Sequence, residues 1–129
     1  AVEPTQAAEP DRFFGDALQG RLPLFLLAWG ANVPDAGWSL SAWFRGTSPL
    51  NLSRFTSPAA DAALAQALAL PIGAPGRDEL LRRFQRIYVS SAAAVPLATL
   101  PNLVVAHRSL CGVRADPVDV VRWQLLSYC

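Results

Sequence analysis

The stretch Leu24-Phe-Leu-Leu-Ala-Trp-Gly-Ala-Asn-Val-Pro-Asp35 joins an apolar run to a polar loop. The run ends at Trp29-Gly30, and the loop that follows carries Asn32 and Asp35. A buried strand that ends in an aromatic residue and a polar loop often forms a wall of a ligand cleft, because the loop supplies hydrogen-bonding groups beside an apolar face. The alternative is a buried strand followed by an ordinary turn.

The continuous apolarity of this run predicts an α/β fold, since a strand that is apolar at every position is expected where helices cover both faces of a sheet. This run predicts a strand over residues 22–29, and apolar residues predict strands over residues 95–107 and 118–126. Residues 2–6 fit a short edge strand, in which Pro4 limits pairing. Apolar residues at helical spacing, with helix start and stop signals, predict helices over residues 9–19, 58–68 and 77–91, and a short helix fits residues 38–44. We therefore expect a mixed sheet flanked by helices.

The composition indicates a compact soluble domain. The 129 residues are 52% hydrophobic, which is enough to form a core. The net charge is only +1, so the chain has no strong positive electrostatic field that would attract nucleic acid. The longest uninterrupted apolar stretch, residues 24–29, is far too short to span a bilayer, which needs ~20 residues. The chain starts without Met, so we expect a fragment or a processed chain.

No enzyme motif is visible. The glycines are spread singly rather than in a phosphate-binding loop, the serines lack a nucleophile-elbow motif, and no Cys/His cluster has the spacing of metal ligands. We therefore expect neither catalysis nor a cofactor. A small hydrolase that uses Asp35 or His107 is a rival interpretation, because residues distant in sequence can meet in the fold.

Four motifs follow one another in a characteristic order: Asn51-Leu-Ser-Arg-Phe55, Ser57-Pro-Ala-Ala-Asp61-Ala-Ala-Leu64, Arg77-Asp-Glu-Leu-Leu-Arg-Arg-Phe-Gln-Arg-Ile87 and Ala94-Val-Pro-Leu97. In order and spacing they resemble the C-terminal quarter of the solute-binding proteins of peptide-type ABC importers (family 5, the dipeptide, oligopeptide and nickel-binding type). The resemblance covers nearly the whole chain.

This resemblance implies a fold, a function and a location. The fold would be part of a periplasmic-binding-protein type II-like lobe, with residues 1–129 forming a single domain or the second lobe and residues 102–129 returning toward the first lobe. The function would be to bind a peptide or related small solute and deliver it to an ABC permease, in the periplasm or another extracytoplasmic space. A ligand-sensing domain of a cytoplasmic transcription regulator has the same architecture and is a second interpretation.

The resemblance also implies a ligand-binding set, which comprises Trp29, Gly30, Asn32, Asp35, Asn51 and Phe55. Asn32 occupies the position where the family often carries an acidic residue that pairs with the α-amine of the ligand. An amide brings no charge, and a neutral hydrogen bond is roughly half as strong as a charge-assisted one. We therefore expect weak recognition of a free peptide N-terminus. For Phe55 core packing is the alternative role, and for Asp61 it is a favourable position in the first turn of a helix.

The C-terminal segment raises two further expectations. Cys111 precedes a turn and Cys129 ends the chain, so a segment that folds back on itself would bring them into a disulfide; two buried free thiols are the alternative. Residues 102–129 also carry many apolar side chains. If their strands lack a partner, we expect this segment to mediate self-association, because an unpaired apolar strand edge recruits another chain.

Overall fold

The structure is a computed structural model that describes residues 9–28, 30–31, 33–101, 103–114 and 122–129. Within these ranges the regular elements, in chain order, are the helices α1 (Pro10–Leu18), α2 (Ala36–Phe44), α3 (Pro58–Leu68) and α4 (Arg77–Ser90), the strand β1 (Leu110–Cys111), a 3-10 helix (Trp123–Leu125) and the strand β2 (Ser127–Tyr128). The two strands pair antiparallel, with Leu110 opposite Tyr128 and Cys111 opposite Ser127.

The helices lie where the sequence predicts them, because their start signals are local. Ser57 accepts a hydrogen bond from the backbone N–H of Ala60 (3.3 Å), and Pro58 is the first residue of α3. Pro10 likewise opens α1, and Gly20, which follows the helix, has a φ of 69°. Helix α2 begins two residues earlier than predicted, since Asp35 caps it.

The prediction of an α/β fold with a mixed sheet is wrong. Residues 22–28, 95–101 and 103–107 form no strand, and within the described ranges the only sheet is the two-stranded one of β1 and β2. Side chains expected to be covered by helices are exposed: Leu26 is 77% accessible and Leu103 is 85% accessible. The regular structure of the described residues is mainly helical, which does not match the predicted lobe with a sheet flanked by helices.

The physical reason lies in strand pairing. Apolar character makes a segment suitable for a sheet, but a strand is stable only beside other strands. Residues 22–28 and 94–101 make no backbone hydrogen bond with any other part of the chain that the structure describes. Pro23, Pro96 and Pro101 also remove backbone donors from these segments.

The remaining predicted strands divide into two cases. Residues 2–6 and 118–121 lie outside the described ranges. In the last part of the predicted strand 118–126, residues 123–125 form the 3-10 helix, and strand β2 follows at Ser127–Tyr128.

The core is formed between α3 and α4. Helix α3 contributes Ala60, Ala63, Leu64 and Ala67, and helix α4 contributes Leu81, Phe84 and Tyr88. The alanines leave room for the large α4 side chains, so the two helices approach closely. The predicted core face of α4 is confirmed: Leu81, Phe84 and Tyr88 are buried, and Leu80 and Ile87 pack against them.

A disulfide closes the C-terminal region, joining Cys111 to Cys129 with an S–S distance of 2.03 Å. Beside it, Gly112 has a φ of 79°, and a Cβ atom added there would lie 1.8 Å from the carbonyl oxygen of Leu125. Only glycine fits this close approach. In the described part of the chain, no helix is both long and apolar enough to cross a membrane.

Candidate functional site

The loop between α2 and α3, residues 45–57, is fixed by side chains at both of its ends. The backbone N–H of Gly46 donates to Oδ1 of Asp61 on α3 (2.9 Å), and Ser57 caps α3. Gly46 permits this contact, because a Cβ atom there would lie 2.6 Å from Oδ2 of Asp61. Asp61 therefore anchors the loop, in addition to its favourable position in the first turn of a helix.

Asn51 fixes the middle of this loop to α4. Its amide Nδ2 donates to the carbonyl oxygen of Phe55 (2.8 Å), and its Oδ1 accepts from the hydroxyls of Ser53 (2.8 Å) and Tyr88 (3.3 Å). The hydroxyls of Ser53 and Tyr88 also contact each other. Asn51 is only 9% accessible, so these bonds satisfy polar groups that have little access to water.

Tyr88 combines this polar role with an apolar one. Its ring contacts those of Phe55 and Phe44 edge-on, each with centroids 5.1 Å apart, and stacks on Phe84 at 5.8 Å. Burial raises the pKa of the Tyr88 hydroxyl, and the hydrogen bond with Ser53 opposes that rise. Tyr88 is therefore a neutral hydroxyl at physiological pH, held between the loop and the core.

Asp35 links the start of α2 to the start of α4. Its Oδ1 accepts from the backbone N–H of Gly37 (3.1 Å) and pairs with Nη1 of Arg77 (2.8 Å). Its Oδ2 accepts from the backbone N–H of Trp38 (3.3 Å) and from Nη2 of Arg77 (2.9 Å). A carboxylate offers about four lone-pair positions. All four are used here, so contact between Asp35 and a ligand amine would require this ion pair to open.

The ion pair shifts both partners toward their charged forms. The hydrogen bond from Arg77 lowers the pKa of Asp35 against an opposing effect of burial, and the bond from Gly37 lowers it further. The hydrogen bond with Asp35 raises the pKa of Arg77. The side chains are 12% and 6% accessible, so removing one charge leaves the other poorly solvated.

We expect Asp35→Asn and Asp35→Ala to separate the two roles of this residue. Asparagine keeps the helix cap but not the charge, whereas alanine loses both, so Asp35→Ala should be less stable than Asp35→Asn by about 1 kcal/mol.

A carboxylate with a lowered folded-state pKa stabilises the protein above its unfolded pKa, and this contribution is lost as the pH falls through the folded value. Urea unfolding should therefore show that wild-type stability falls more steeply below pH 3.8 than that of Asp35→Asn. Parallel pH profiles would show that the pair contributes nothing.

Of the predicted ligand-binding residues that the structure describes, Asn51 and Phe55 meet at Tyr88, while Asp35 pairs with Arg77. Arg77 and Tyr88 are eleven positions apart on α4, which corresponds to ~16 Å along the helix axis. Gly30 is exposed. Trp29 and Asn32 lie outside the described residues, so their roles stay predictions, as do those of Gly30, Asp35, Asn51 and Phe55.

A half-open pocket of about 280 Å³ lies between α2, α4 and the segment that follows α4. It is lined by Leu40, Phe44, Phe84, Gln85, Tyr88, Val89, Ala94 and Pro96. Sequence reasoning did not assign this pocket. One signal was available, because residues 38–44 hold more large apolar side chains than so short a helix can bury alone.

The remaining candidate for a catalytic role is His107, which contacts Ser109. Nδ1 of His107 lies 2.7 Å from the Ser109 hydroxyl, and it also accepts a bond from the Ser109 backbone N–H (3.3 Å). Both bonds are local to one turn, and no carboxylate among the described residues contacts the ring. The same residues contain no group of His, Cys, Asp and Glu side chains suited to a metal ion.

Comparison of this chain with protein-family models, with curated proteins and with solved structures finds no match.

Proposed function

We propose that this chain binds a small solute, a peptide or a related molecule, without transforming it, for uptake by an ABC transporter. The proposal comes from the resemblance of four sequence motifs to the peptide-type solute-binding proteins. It concerns function alone and does not depend on a mixed sheet. The chain would supply one part of a two-lobed clamp, and the ABC permease would be its membrane partner.

One structural observation supports the proposal above the others. The loop 45–57 has no regular secondary structure, yet Asn51, Ser53 and Asp61 fix it to α3 and α4 through buried or half-buried polar contacts. A surface that is already ordered loses little conformational freedom when a ligand binds, which favours affinity. The motif residues therefore hold a loop in place, as a preformed binding surface requires.

Two features are consistent with the proposed location and partners. The Cys111–Cys129 disulfide suits an oxidising, extracytoplasmic compartment. The exposed side chains of Leu103, Val105 and Trp123 suit the self-association expected of residues 102–129, which stays a prediction.

Equilibrium dialysis against a pool of dipeptides and tripeptides, each with a free and an N-acetylated terminus, tests the proposal. Mass spectrometry then measures which peptides are enriched on the protein side. We expect weak enrichment, because a clamp that encloses its ligand from two sides loses affinity when one side acts alone. Acetylated peptides should bind at least as well as free ones, since Asn32 supplies no charge.

The matched variant is Asn32→Asp, which restores the acidic residue of the family pattern. It should shift the preference toward free N-termini, because a charge-assisted hydrogen bond is about twice as strong as a neutral one. The same samples report on the rival hydrolase, since cleavage would release amino acids. Cleavage products, or no enrichment of any peptide by either protein, would contradict the proposal.

A further inference from the structure

The helical walls of the 280 Å³ pocket are held in place before any ligand arrives. Phe84 is 1% accessible, and its ring stacks on that of Tyr88 with an interplanar angle of 29°. The ring of Phe44 meets Tyr88 at 71°. The three rings thus support one another, and Leu40 packs against the same core cluster. A pocket with fixed walls does not have to be ordered on binding.

The lining of the pocket defines the chemistry of its ligand. Among the described residues no Asp, Glu, Arg or His lines it, so a charged group would lose hydration there without gaining an opposing charge from them. The Tyr88 hydroxyl is already bonded to Asn51 and Ser53. Of the described lining residues, Gln85 then has the side-chain polar group left to bond a ligand, and this residue is exposed.

The size of the pocket indicates the group that fits inside it. A dry cavity of ~150 Å³ holds benzene, so about 280 Å³ accommodates a group of the size of an indole ring. Aromatic rings prefer edge-on or offset contacts with other rings, and the partly exposed ring of Phe44 offers such a contact, while the buried rings of Phe84 and Tyr88 support the wall behind it.

We propose that this pocket binds a neutral aromatic or branched aliphatic group. We identify this group as an apolar side chain of the bound solute, an assignment that rests on the function proposed above. The pocket thus selects solutes by their side chain, and Gln85 bonds a polar atom at the edge of the ring.

Methyl NMR spectra of the full chain, recorded while indole is added, test this proposal. We expect the methyl signals of Leu40, Val89 and Ala94 to shift together, with a dissociation constant on the order of 1 mM, as suits a ligand of this size. Benzoate and benzylamine, which carry charges, should shift them at least tenfold less at equal concentration.

The variant Ala94→Phe should fill the pocket and weaken indole binding at least tenfold. Its control is Ala62→Phe, which adds the same ring at an exposed position of α3 that does not line the pocket. Unchanged indole binding by Ala94→Phe, or no methyl shifts in the wild type, would overturn the proposal.

The peptide dialysis separates this proposal from the proposed function. If peptides bind but Ala94→Phe does not alter which side chains they carry, the pocket proposal fails and solute binding stands. If indole binds as expected and no peptide is enriched, the pocket is a ligand site and the proposed function fails.

Discussion

Replacing Phe84 by alanine should destabilise the protein more than any other single truncation in the core, by about 3–5 kcal/mol. Phe84 is 1% accessible and packs in the cluster that joins α3 to α4. Its removal loses the transfer free energy of the ring and leaves a cavity that the alanines of α3 are too small to fill. Because a domain is typically stable by only 5–15 kcal/mol, this change should remove a large share of the total.

Urea unfolding followed by far-ultraviolet circular dichroism measures this loss, since most of the described regular structure is helical. The matched control is Ile72→Ala, which truncates a large apolar side chain that is 74% accessible. That change should lie within about 0.5 kcal/mol of the wild type. Equal losses in the two variants would contradict the position of the core.

The helices and their buried faces could be predicted from the sequence because their determinants are local. Ser57-Pro58 marks the start of α3, and Leu81, Phe84 and Tyr88 repeat at helical spacing on α4. A hydrogen-bonding side chain and its helix lie within a few residues of each other, so a short window of sequence contains both.

Strand pairing could not be predicted in the same way. The apolar run 24–28 shows that its residues favour an apolar environment, but it does not show whether another strand lies beside it. Among the described residues no strand pairs with this run, and Leu24 is 72% accessible. The continuous apolar run therefore does not by itself predict a strand in a sheet.

The candidate site was predictable only in part. The residue types at Asn51, Ser53 and Asp35 suggest hydrogen bonding, but their partners, Tyr88 and Arg77, lie more than thirty residues away in sequence. The helical spacing predicts Tyr88 in the core but does not predict the hydrogen bond of its hydroxyl with Asn51. The buried ion pair of Asp35 was also missed, because nothing in the local sequence links it to Arg77.

Replacing Asn51 by alanine should cost about 2 kcal/mol of stability, a large effect for a loop residue. The change leaves the carbonyl oxygen of Phe55 without its side-chain donor, and it removes an acceptor from the hydroxyls of Ser53 and Tyr88. These groups have limited access to water, so unmade hydrogen bonds are costly there. The control is Leu50→Ala, the neighbouring position in the same loop, whose side chain is 39% accessible.

Amide hydrogen exchange in wild type, Asn51→Ala and Leu50→Ala tests most directly the claim that the loop 45–57 is a preformed surface fixed to the helix pair. Two loop amides are informative: Asn51 N–H donates to the carbonyl oxygen of Ser48, and Arg54 N–H donates to that of Asn51, both at 3.1 Å. The account predicts that both are protected in the wild type and in Leu50→Ala, and that Asn51→Ala speeds their exchange about 30-fold, the equivalent of about 2 kcal/mol. Exchange at the rate of an unstructured peptide in the wild type, or equal protection in all three proteins, would contradict it.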